Sequence, residues 1–151
     1  MQQNEELYYL IAGFIYDWCD IELFCDEFYK MYDLESLYCA TNKAEEQALK
    51  ELDMMAGRFS EFDEDFKKAP NVFFKEGEIR QKAEEIFRLF SNIKISKEEY
   101  NSVWDGSEEK KGYIDLLITN NHNQAIIIEN KLNYAPDQPN QIVRYMKYIQ
   151  E

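Results

Sequence analysis

The feature that most constrains this chain is an apolar run that ends abruptly in charge. Ala125-Ile126-Ile127-Ile128 is followed directly by Glu129-Asn130-Lys131. A run with no polar alternation reads as a strand covered on both faces, so a central, buried strand over 124–131 is expected. Residues 113–119, Tyr-Ile-Asp-Leu-Leu-Ile-Thr, are a second such segment. Between the two lies Asn120-Asn121-His122-Asn123, a cluster of turn-forming residues. The spacing predicts a hairpin. A three-residue loop pairs Asn120 with Gln124, Thr119 with Ala125 and Asp115 with Glu129. A slip of one residue would send Asp115 to the opposite face.

Charge at the end of a buried strand needs a partner, because desolvating it alone is costly. Glu129 and Lys131 are two apart and so share a face. In the predicted register Asp115 joins them. Two carboxylates this close repel, and a divalent cation relieves the repulsion. Oxygen ligands of this kind suit Mg²⁺ or Mn²⁺. Such an ion polarises a phosphoryl oxygen and acidifies a bound water, and a neighbouring ammonium orients that water or stabilises developing charge. The same spacing also fits a buried Glu–Lys ion pair with an unrelated Asp nearby. Spacing by itself does not separate the two.

The rest of the chain reads differently. Asn4 caps a helix containing Leu7, Leu10, Ile11, Phe14, Ile15 and Trp18. Asp20 caps a second, with Phe24, Cys25, Phe28, Met31 and Tyr32 at helical spacing. Asn42 caps a third, with Ala48, Leu49, Leu52, Met55 and Phe59 on one side and Gly57 near its end. Pro70 breaks the pattern. A fourth helix follows over 78–90. Asp137 and Pro139 open a last one that runs to Glu151. The aromatic stripes belong to a core. The organisation is therefore α+β (α/β), with an acidic helical region over 1–70 and a small mixed sheet within 71–151.

The formal net charge is −13, of which −11 falls on residues 1–70 and −2 on 71–151. So acidic a helical half is a poor nucleic-acid binder, and suits a basic protein partner or simply a solvated surface. No apolar run reaches the ~18–20 residues of a membrane span, and no basic n-region opens the chain. Cys19, Cys25 and Cys39 lack a CxxC pair, and His122 is the single histidine. Zinc is disfavoured. Reduced core thiols in a cytoplasmic protein are expected.

Three segments in order carry a family resemblance: Gly112-Tyr113-Ile114-Asp115-Leu116-Leu117-Ile118, Ile126-Ile127-Ile128-Glu129-Asn130-Lys131, and Asp137-Gln138-Pro139-Asn140-Gln141-Ile142-Val143-Arg144-Tyr145. Together they resemble the PD-(D/E)xK nuclease superfamily. The resemblance implies a restriction-endonuclease-like core and metal-dependent hydrolysis of phosphodiester bonds in nucleic acid. Asp115 and Glu129 would ligate Mg²⁺ or Mn²⁺, with the Asn130 carbonyl as a further ligand, and Lys131 would handle the attacking water. Gln141 and Tyr145, four apart on one helix face, would brace the site or touch substrate, with Gln138 a weaker candidate. An acidic residue from the preceding helix would also fit, and Glu78, Glu84 and Glu85 are available. The family core has a further strand after this helix, so a sheet lacking its C-terminal strand, with an exposed edge, is expected.

A more diffuse resemblance lies upstream. Residues 24–35, then Ala56-Gly57-Arg58-Phe59-Ser60 and Glu64-Asp65, are similar to bacterial immunity proteins of the colicin or contact-dependent-inhibition kind. That resemblance implies an acidic module covering the basic site of a toxin.

Overall fold

A computed structural model describes residues 3–34, 42–104, 109–122, 124–129 and 141–150. Two compact units emerge, Met1–Ser91 and Asn92–Glu151.

The first unit is helical. It runs α1 (Gln3–Ile15), α2 (Ile21–Tyr29), a π-helical turn (Lys30–Leu34), α3 (Lys43–Ala56), α4 (Asp63–Lys68) and α5 (Glu76–Phe90). Two of the expected caps hold. Asp20 accepts from the Leu23 amide at 2.8 Å and Asn42 from the Glu45 amide at 2.9 Å, each satisfying a donor that the first helical turn leaves orphaned. Asn4 is not a cap, because α1 already begins at Gln3. Leu7, Ile11, Phe14, Phe24, Phe28, Leu49, Leu52, Ile79 and Ile86 fill the core. Phe14 and Phe24 stack with centroids 4.3 Å apart. Burying each such side chain is worth roughly 1.5–3 kcal/mol. Phe59 departs from the expected helical stripe. The helix ends at Ala56 with Gly57 as its C-cap, and Phe59 instead forms a parallel bridge with Phe74. The fourth expected helix starts two residues early and packs with α1 and α3. Arg80 on α5 fastens the end of α1. Its Nη1 donates to the carbonyls of Phe14 and Ile15, and its guanidinium lies 4.3 Å from the centroid of the Phe14 ring.

The second unit holds the sheet, β1 (Ile93–Trp104), β2 (Glu109–Asn120) and β3 (Ala125–Ile128), in the order β1-β2-β3, with α6 (Gln141–Gln150). Both described pairings are antiparallel. The α+β order of helices first and sheet after is as expected, and among the described residues the sheet is antiparallel rather than mixed. Consecutive strands joined by short turns pair antiparallel, whereas a parallel neighbour needs a long crossover. A second correction concerns β3. It stands at one side of the described sheet, and Ile126 and Ile128 are 48% and 45% exposed. Among the described residues α6 packs on Ala125 and Ile127, so only one face of this apolar run is covered. No helix among the described residues is long and apolar enough to cross a membrane. Cys19 and Cys25 are free thiols, and burial, aided by Asp26, pushes Cys25 up to about 11. Cys39 lies outside the described residues.

Candidate functional site

The β2–β3 turn sets the register. The side-chain carbonyl of Asn120 accepts from the amides of His122 and Gln124 at 2.9 and 3.1 Å, and its own amide N–H donates to the Gln124 carbonyl at 3.2 Å. These bonds close the turn from within, as asparagine does where a chain reverses. Thr119 then pairs with Ala125, Ile118 with Ile126, Leu117 with Ile127 and Leu116 with Ile128. The Thr119–Ala125 pair is the register the turn residues predict, and Glu129 follows directly on the end of β3.

The environment of the two carboxylates differs. Asp115 is exposed. Glu129 is half-buried, and its Oε1 is fully buried with no hydrogen-bond partner among the described residues. A buried carboxylate oxygen without a partner is costly, about 1–3 kcal/mol or more. A carboxylate oxygen of this kind would suit a hard cation. No group of three or more His, Cys, Asp or Glu side chains gathers among the described residues. Asn130, Lys131 and Gln138 lie outside the described residues.

Helix α6 joins the site from above. Ile114, Leu117 and Tyr145 form a buried cluster, with Ala125, Ile127, Tyr148 and Ile149 packed against it. Leu117, Ala125 and Ile127 share the face of Asp115 and Glu129 by the alternation of a strand. Tyr145 is 1% exposed, and its hydroxyl donates to the Tyr113 carbonyl at 3.0 Å, two residues before Asp115. Gln141 Nε2 donates to the same hydroxyl at 2.7 Å. The pair is thus a latch from α6 to β2.

The acidic candidates on α5 have local work. Glu78 accepts from the Lys75 amide at 2.9 Å, as half of a capping box, and Glu85 lies 3.6 Å from Lys82. Glu84 is exposed. Sequence reasoning passed over two exposed side chains on the Asp115 face, Tyr100 and Tyr113, which pair directly across β1 and β2. The signal was there in their strand-forming character, but β1 itself had gone unread.

A family model described as the PD-(D/E)XK nuclease superfamily matches residues 38–151. It spans the sheet, the latch and the helices α3 to α5, and supports a nuclease-type function with nucleic acid as the implied substrate class. This chain belongs to the PD-(D/E)XK nuclease superfamily. No curated protein and no solved structure matches it. The immunity-protein resemblance of the helical half has no support in these comparisons.

Proposed function

We propose that this protein hydrolyses phosphodiester bonds in nucleic acid with Mg²⁺ or Mn²⁺ held by Asp115 and Glu129. The observation that carries the proposal is the buried Oε1 of Glu129, directly after β3, which has no hydrogen-bond partner among the described residues. The cation would supply Lewis acidity toward a phosphoryl oxygen and lower the pKa of a water. The chain's own residues do the rest. The Asn130 carbonyl adds an oxygen ligand. The Lys131 ammonium orients the attacking water and offsets charge that develops on the phosphate. Gln138 would contact substrate. Tyr145, held by Gln141, fixes the Tyr113 carbonyl and so the stretch of β2 that bears Asp115. A site rigid at its backbone loses less on binding and holds reacting groups in line.

Calorimetric titration of Mg²⁺ and Mn²⁺ tests this. Wild type should bind one ion, and the Asp115→Ala/Glu129→Ala double variant none. Lys131→Ala should keep the ion and lose cleavage of single-stranded and duplex substrates by about 10²–10⁴-fold, the usual worth of a group that moves a proton in the transition state. Cleavage that survives in the double variant, or without divalent ions, would overturn the proposal.

A further inference from the structure

Tyr100 on β1 and Tyr113 on β2 both face solvent. They are 47% and 61% exposed. Their Cα atoms are direct partners in the β1–β2 ladder, and their rings meet edge to face, with centroids 5.4 Å apart and planes inclined by 63°. Cross-strand pairing stabilises a sheet by only about 0.2–1 kcal/mol, and it does not call for rings this exposed. The position is informative. Tyr113 and Asp115 are two apart on one strand, so they share a face about 6–7 Å apart along it. That separation is one to two nucleotides at the ~3.4 Å rise of stacked bases. The Tyr113 backbone is also tied to α6 through the Tyr145 hydroxyl, so the platform stands on a fixed main chain.

Charge points the same way. Residues 71–151 carry a net −2, so attraction for phosphates is weak and most of the binding must come from elsewhere. Stacking of bases on aromatic rings is a source that needs no net charge. In a duplex the bases stack on one another and present only their edges, whereas unpaired bases offer a face.

We propose that Tyr100 and Tyr113 form a base-stacking platform beside the carboxylates, so that the substrate is a single-stranded nucleic acid or a single-stranded stretch of one. This rests on the nuclease reading of Asp115 and Glu129. The test is fluorescence anisotropy of the full chain with a labelled oligothymidylate and with a blunt duplex of equal length. Ca²⁺ replaces Mg²⁺ because it takes the same oxygen ligands. Wild type should prefer the single strand. Tyr113→Thr, which keeps strand propensity, should weaken that binding about ten-fold and leave the duplex unchanged, with Tyr100→Thr in the same direction. Tyr113→Trp and Tyr113→Phe should retain single-strand binding, which separates loss of the ring from loss of the fold. Equal affinity in wild type and Tyr113→Thr, or a wild-type preference for duplex, overturns the platform while the nuclease reading stands. Wild type that binds neither oligonucleotide and cleaves neither overturns both.

Discussion

At the scale of single residues, Glu129 is the side chain whose surroundings least match its chemistry. Among the described residues its buried oxygen has no partner, while the neighbouring positions of β3 are isoleucines. An apolar side chain of similar length should sit there more comfortably. Glu129→Met is expected to raise the metal-free unfolding free energy by about 1–3 kcal/mol, the cost of the unpaired group, and to abolish stabilisation by Mg²⁺. Chemical denaturation with and without the ion reads both effects, and a metal-free loss of stability would contradict this account. The hairpin register around the candidate site was legible beforehand. A carboxylate two residues before a lysine, at the end of an isoleucine run, stands out because burial makes charge expensive. The turn asparagines fixed where Asp115 would fall. The exposed tyrosines were not legible, since nothing in Tyr100 says which strand it faces until the strand is known.

At the scale of elements, short polar caps proved easier to read than strands. Asp20 and Asn42 announce their helices because each offers an oxygen to an amide that has no other acceptor. β1 was missed because Ile93–Trp104 alternates imperfectly and carries Lys94, Lys97, Glu98 and Glu99, composition that also suits an exposed helix. Charged residues on an edge strand keep other chains from adding to it. The short α4 escaped notice too, being too brief for a period to show. The joint between α1 and α5 rests on Arg80, whose fork reaches two carbonyls and which also pairs with Asp17 at 3.0 Å and Glu76 at 2.8 Å. An ammonium cannot reproduce that fork or lie flat on Phe14. Arg80→Lys should therefore cost the helical unit about 2 kcal/mol. Urea unfolding followed by far-ultraviolet circular dichroism would show it as a lower midpoint with an unchanged slope.

At the scale of the whole molecule, charge is the dominant fact. With −11 on residues 1–70, self-repulsion weighs on the helical unit far more than on the sheet. Screening should relieve it. Raising NaCl from about 0.02 to about 0.2 M shortens the Debye length severalfold, and the thermal midpoint should climb by a few degrees. MgCl₂ at matched ionic strength should add a further rise only where Asp115 and Glu129 are intact. If the double variant gains as much, the ion is acting as mere counter-charge. The strand order has one more consequence, and it concerns time. Each strand lies beside its neighbour in the chain, so the sheet is built from local contacts of the kind that fold fast. The turn at Asn120 closes a small loop, a step of order microseconds that forfeits little chain entropy. The β2–β3 hairpin that carries Asp115 and leads into Glu129 therefore forms at the beginning of folding rather than at its end, before α6 has docked on it.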